Sequence, residues 1–445
     1  MSNELSLTNR NILNVALPIM AGGFVQFLVN FVNTYFVDKL GEMPLNAVGN
    51  GGLIYITLFV AGQGFSTSLQ VIVARRKGQG KNRQIGMIFD HALVMMGVIS
   101  VLLLIGGWCF SQFLMPSLVK DAEILRGMQE FLRYRFWGFL FSIFEVGIIG
   151  YYTGTAQTRV ITYSTMLIAG LNIFLDYSLI YGRLGFPEMG IAGAGVASVI
   201  AEAAALVFVL VYLYFDKQTK QYGLFRFIGF KAKVFLKLLK LAYPLVAQRF
   251  VSLFAWTAFF LMIEKAGPRE LAVSQIVRNL YFLAFIPIFG FGTAAGTFVS
   301  HYMSKKDPAN VIRSIKRIGI ISALFTLLFV HGYLLYPAAI IDLLTNQDYL
   351  ITETIPILRL IVSSMLIHSF VMVLFSAVAG VGDTRWSFVI ETSSIVLYLA
   401  YCYYVCIVNK QSLMVIWSAE FIYFGLLALF SLAYFRFSNW KNYNL

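Results

Sequence analysis

The chain has 445 residues, of which 59% are hydrophobic and 12% charged, with a formal net charge of +13. A soluble domain carries roughly a quarter charged residues, so this composition excludes an ordinary water-soluble core, as does the mean hydropathy of +0.76. The basic excess would suit nucleic acid only as a clustered patch, and its distribution along the chain assigns it to another role.

The start, Met1 to Arg10, is short and polar and lacks the basic, apolar and small-residue regions of a secretory signal, so the first apolar run is expected to be retained. Apolar runs between charged or Pro/Gly-rich breaks then predict spanning helices near 11–37, 45–74, 85–110, 128–153, 158–181, 191–215, 238–262, 271–300, 312–336, 351–379, 384–408 and 413–435. Each is long enough to cross a hydrocarbon layer of about 30 Å. The expected fold class is an all-α polytopic membrane protein with twelve transmembrane helices. Alternate loops differ sharply in base. Arg75, Arg76, Lys77, Lys81 and Arg83 follow the second span, the stretch from Lys217 to Lys240 follows the sixth, and Lys305, Lys306 and Arg313 follow the eighth. The opposite loops hold acids such as Asp38, Glu42, Asp121 and Glu123. By the positive-inside rule both termini and the middle loop are expected to be cytoplasmic, in a plasma (inner) membrane, with anionic lipid as the partner of the basic loops and no nucleic acid.

Sliding the sequence along itself reveals a repeat at offset 226, which places Pro18 on Pro244, Gly41 on Gly267, Leu45 on Leu271 and Gly154-Thr-Ala-Gln-Thr-Arg159 on Gly380-Val-Gly-Asp-Thr-Arg385. The repeat holds six spans, an even number, so the two halves enter the membrane in the same direction. The expected organisation is an amino-terminal lobe over 1–215, a basic cytoplasmic linker over 216–237 and a carboxy-terminal lobe over 238–445. Duplication is a simple way to enlarge a helical bundle, but it is also how carriers obtain two bundles that rock between alternating-access states.

A charge at mid-bilayer costs about 2.5–3.5 kcal/mol even on insertion scales, so each one needs a partner or a purpose. Asn172 and Asp176 are spaced i, i+4 on the fifth span, and Ser198 and Glu202 repeat the spacing on the sixth. The two pairs on neighbouring helices could converge and offer hard oxygens to Na⁺ or a carboxyl to a proton, with Asn33 on the first span a nearby amide. The competing reading is that Asn172, Asp176 and Ser198 bond backbone groups near the Gly-rich turn. Glu145 and Glu202 could equally sit in static ion pairs with Arg133 or Arg135. Arg249 and Arg278 read as snorkelling or paired with Glu264 or Glu391. In the second half His368 and Glu391 suggest a proton relay, against the blander reading of a hydrogen-bonded histidine.

Phosphate-cradling, zinc-protease and nucleophile-triad patterns are absent from the sequence, and its four histidines are His91, His301, His331 and His368. No catalytic residues and no cofactor are therefore expected, and an ion gradient is the remaining energy source. The three cysteines, Cys109, Cys402 and Cys406, lie in apolar runs and form no disulfide framework. The 41 Phe, 24 Tyr and 15 Met hint at surfaces that accept flat or cationic molecules, although aromatics also fill bundle cores and interface belts.

In order along the chain, Asn30-Phe-Val-Asn33-Thr, Gly62-Gln-Gly64, Ala74-Arg75-Arg76-Lys77-Gly78, Leu171-Asn172-Ile-Phe-Leu-Asp176-Tyr-Ser-Leu-Ile-Tyr181, Gly185-Phe-Pro187 and Pro287-Ile-Phe-Gly290 resemble the multidrug and toxic compound extrusion (MATE) family over nearly the whole length. The resemblance implies two pseudo-symmetric six-helix lobes and H⁺- or Na⁺-driven export of cationic or amphipathic small molecules by a monomer. It also implies an amino-lobe cation site, matched here by Asn172, Asp176 and Ser198, where Na⁺ could bind. The family's first-span Asp falls on Asn33, which removes one negative charge, and leaves coupling to Asp176 with help from Glu202. In the second lobe the family's Glu and Asp fall on Ser252 and His368, so a coupling site there would need His368 and Glu391. The alternative transport reading is a flippase for lipid-linked oligosaccharides with a related two-lobe architecture.

Overall fold

The computed structural model describes residues 5–227, 229, 231–345 and 347–443. Residues 1–4 of the polar start and Ile228 and Phe230 of the basic linker lie outside the described residues.

Among the described residues twelve helices are long and apolar enough to cross a bilayer: α1 (Asn9–Asp38), α2 (Glu42–Gly78), α3 (Asn82–Leu118), α4 (Ala122–Gly154), α5 (Arg159–Tyr181), α6 (Gly190–Phe215), α7 (Ala232–Ala266), α8 (Pro268–Ser304), α9 (Pro308–Leu335), α10 (Asp348–Val381), α11 (Thr384–Val408) and α12 (Leu413–Phe437). The chain is an all-α, multi-pass membrane protein. Helices dominate because each backbone N–H and C=O in lipid must be satisfied within its own segment.

The repeat is visible in how the backbone turns. Gly41 before α2 and Gly267 before α8, 226 residues apart, both take positive φ, at 114° and 155°. Ala156 after α4 has φ 58° and its counterpart Gly382 after α10 has φ 96°. Only glycine enters that region without the Cβ penalty, so one copy of this turn carries the strain that the other avoids. Helix pairing repeats as well: α2 packs on α4 and α5 on α6 in the first half, as α8 packs on α10 and α11 on α12 in the second.

Two compact units emerge from the packing, one comprising Met1–Met20 with Ala247–Leu445 and the other Ala21–Val246. The changeovers fall inside α1 and α7, two residues beyond Pro18 and Pro244. A proline removes one helical N–H and crowds the preceding turn, which makes these the points where a long helix most easily changes its surroundings.

Described residues of the linker are tied to the bundle. A short helix, Lys217–Tyr222, is followed by a stretch strapped to α3, where Asp90 accepts from the Phe225 N–H at 2.7 Å and the Phe227 N–H at 2.9 Å. The neighbouring His91 accepts from the Lys231 N–H through Nε2 at 2.8 Å. Gly86 permits the approach, since a Cβ there would collide with the backbone carbonyls of Tyr222 and Gly223.

Candidate functional site

Within the unit Ala21–Val246, three helices bring polar side chains to one buried spot. The i, i+4 spacing on α5 puts Asn172 and Asp176 on the same face, with Asp176 1% exposed. Small residues at the start of α6 let it come close: a Cβ on Gly193 would lie 2.8 Å from the Leu179 carbonyl. That contact brings Ser198 to the Asn172 amide, which donates to its Oγ at 3.3 Å, while the Ser198 hydroxyl donates to the Ala194 carbonyl at 3.1 Å.

Asn33 on α1 completes the group. Oriented as its surroundings require, its Nδ2 lies 2.6 Å from Asp176 Oδ2, 2.9 Å from Asn172 Oδ1 and 3.1 Å from the Val29 carbonyl. Asp176 Oδ1 is buried with no hydrogen-bond partner among the described residues. Four of the five residues singled out for the amino lobe thus meet. Three oxygens and one free carboxylate lone-pair site converge, but a single negative charge is present. No group of three or more His, Cys, Asp or Glu able to hold a metal occurs among the described residues.

Glu202 has a different employment. One turn beyond Ser198 on α6, it forms a two-pronged ion pair with Arg135, at 2.9 Å from Nη1 and 2.6 Å from Nη2. The Tyr55 hydroxyl donates to it at 3.3 Å, and the Arg135 guanidinium lies 3.5 Å from the centre of the Tyr55 ring. Of the two roles the sequence left open for Glu202, the geometry is that of the static pair. Gly138, in a 3₁₀ turn that interrupts α4, leaves the room, because a Cβ there would overlap both charged groups. Glu145 is separate from this pair and accepts from the Ser164 hydroxyl at 2.5 Å.

In the other unit His368 and Glu391 have separate surroundings. His368 stacks on Phe424 at 3.8 Å and 14°, with Phe285 at 5.2 Å, and its Nδ1 has no hydrogen-bond partner among the described residues. Glu391 accepts from Ser252 at 2.6 Å and Tyr423 at 3.0 Å, with Gln248 Nε2 at 3.5 Å. Arg249 sits 5.7 Å from the Phe289 ring and Arg278 5.1 Å from the Phe260 ring. The residues missed by sequence reasoning are therefore hydroxyl donors, Tyr55 to Glu202 and Tyr423 to Glu391. Among 24 tyrosines, a partner on another helix, 147 residues from Tyr55 and 32 from Tyr423, has no local signature.

Twelve spanning helices, duplicated in sequence and in pairing and carrying a buried polar cluster in one lobe, define a two-lobed polytopic bundle. The MatE family profile matches residues 18–178 and again 244–404, the same offset of 226. The chain belongs to the MatE family. A relative from Thermotoga maritima, "Probable multidrug resistance protein NorM", is 26% identical over 402 residues, covering 88% of this chain and 84% of its own length. "Multidrug resistance protein NorM" of Photobacterium profundum is 30% identical over 310 residues, 67% of this chain and 65% of its own. The fold is shared with two solved structures that are each 20% identical and cover 98% of this chain and 97% of theirs. One is described as MATE in complex with MaL6, with a TM-score of 0.90. The other is an outward-facing conformation of a multidrug resistance MATE family transporter of the MOP superfamily, with a TM-score of 0.89.

Proposed function

We propose that the chain is a secondary antiporter that exports cationic or amphipathic small molecules in exchange for a cation, as a monomer in the inner membrane with both termini cytoplasmic. Family membership and the names of the relatives support multidrug efflux. The observation that carries the coupling mechanism is the Asp176 carboxyl, buried against Asn33 and Asn172 with one oxygen left unpartnered.

The donor set favours H⁺ over Na⁺ as the coupling ion. In the amide orientation that satisfies its neighbours, the Asn33 nitrogen faces Asp176, and an N–H donor cannot ligate a cation. It does satisfy one carboxyl oxygen and leaves the other to carry a proton. A bare carboxylate in this place bears a desolvation cost that protonation removes. A conformation that hydrates Asp176 therefore favours the charged form, one that encloses it favours the neutral form, and a proton gradient biases the two states unequally. Na⁺ is the second reading, since rotating the Asn33 amide would present oxygens from Asn33, Asn172, Asp176 and Ser198.

Reconstituted protein in liposomes, given separate pH and Na⁺ gradients, tests the assignment. Asp176→Asn is expected to reduce gradient-driven efflux of a fluorescent organic cation to background. Efflux that kept its gradient dependence in this variant would remove Asp176 from the mechanism.

A further inference from the structure

The unit Met1–Met20 with Ala247–Leu445 lacks the amino-lobe cluster: at offset 226, Asn172 becomes Tyr398 and Asp176 becomes Cys402. Its buried acids lie elsewhere. Glu420 on α12 is 3% exposed and accepts from the Tyr281 hydroxyl on α8 at 3.0 Å and the Tyr398 hydroxyl on α11 at 3.3 Å. Both tyrosines belong to an apolar core with Phe259, Trp417 and Ile416. The Tyr398 ring packs 5.5 Å from that of Tyr423, whose hydroxyl donates to Glu391. Two buried carboxyls are thus held in one lobe by a shared group of tyrosines.

The ionisable groups around Glu420 do not neutralise it. From α8 there is Tyr281, from α11 Tyr398, Cys402 and, through Tyr423, Glu391; from α12 itself there is Tyr423. On the α10 side His368 is stacked on Phe424. The arginines of this lobe that enter the bundle act on other groups: Arg249 acts on Glu391 and Tyr423, and Arg278, one turn from Tyr281 on α8, lies 5.1 Å from the Phe260 ring. Burial in an apolar core with no counter-cation among the described residues penalises the anionic carboxylate, while the two tyrosine donors favour it, and when Glu420 carries a proton one tyrosine hydroxyl must turn to accept from it.

We propose that the carboxy-terminal lobe holds a proton-exchanging site centred on Glu420, with Tyr281 and Tyr398 as its positioning donors and Glu391 as its neighbour across the tyrosine pair. The proton binds the Glu420 carboxyl when the lobe is closed around it, and leaves when the lobe admits water or the surrounding pH rises. The use of this site in transport rests on the antiport reading; its existence does not.

Infrared spectroscopy of the full chain in liposomes reads it directly, through the carbonyl stretch of a protonated, buried carboxyl. The expected result is a band at neutral pH that declines as pH is raised, loses one component in Glu420→Gln and keeps that component in Asp176→Asn. A Glu420→Gln spectrum that superimposes on the parent, or a component that does not respond to pH, overturns the site. If Glu420→Gln fails to fold, Tyr281→Phe with Tyr398→Phe retains the acid and removes its donors; the component must then shift in frequency, and an unshifted band overturns the proposal. Loss of efflux in Asp176→Asn is scored separately, so failure of the antiport reading and failure of this site are distinguishable.

Discussion

The two lobes solve the same problem, a carboxyl inside a membrane bundle, in opposite ways. The amino lobe surrounds Asp176 with amides and leaves one oxygen unpartnered, next to a fully neutralised pair, Arg135 with Glu202. The carboxy lobe gives Glu391 and Glu420 hydroxyl donors for their oxygens. The amides leave one Asp176 oxygen open to a proton and can also turn to face an arriving cation, whereas the tyrosine hydroxyls can only exchange hydrogen bonds with the carboxyls they hold. Duplication therefore copied the scaffold, and the chemistry then diverged at matched positions.

The largest expected effect separates static charge from working charge. Glu202→Gln strands Arg135 in the bundle and should cost about 3–5 kcal/mol of stability, read as a fall in the midpoint of thermal unfolding in detergent. The double change Arg135→Met with Glu202→Leu should restore much of it. A Glu202→Gln protein as stable as the parent would mean the pair is not structural.

The next effect sharpens the comparison from the side of the ion. Asn33→Asp puts a second carboxylate beside Asp176 and, because ligand charge sets cation affinity, should strengthen Na⁺ dependence of efflux by roughly tenfold. Unchanged ion preference would show that Asn33 does not face the coupling ion.

Smaller still is the difference between the two repeated turns. Gly382→Ala should destabilise by about 1 kcal/mol, because a Cβ is forced into the left-handed region, and Ala156→Gly should recover part of that amount in the other lobe. Equal responses at both positions in chemical unfolding would contradict the φ values on which this rests.

Least of all is a pH effect that one lobe has and the other lacks. Asp383, in the turn between α10 and α11, is held above the usual carboxylate range by burial, whereas its repeat partner is Gln157. A carboxyl whose folded pKa is raised retains protons longer in the folded state. Its contribution is present at low pH and is lost as pH rises from the ordinary carboxylate range through the raised folded value. Half exposure keeps the effect small. Asp383→Gln should flatten the stability profile in that window, and a profile identical to the parent would remove Asp383 as its source.

Much of this molecule was legible without coordinates, because lipid imposes a simple rule on sequence. Twelve apolar runs must become helices, the Pro18/Pro244 and Gly41/Gly267 pairs disclose the repeat, and the i, i+4 spacing of Asn172 and Asp176 fixes a common face. The motif order suggests the family, the i, i+4 spacing pairs Asn172 with Asp176 and Ser198 with Glu202, and the resemblance adds Asn33.

Tertiary structure decided which groups meet and what each one does there. No local pattern links Glu202 to Arg135, 67 residues away, or Glu420 to Tyr281, 139 residues away. Nor does spacing reveal that His368 turns to Phe424 and Glu391 to Ser252. Helix periodicity specifies the face a side chain occupies, but the opposing face comes from another helix, and the choice between an ion pair, a proton site and an aromatic stack is made only where those faces pack.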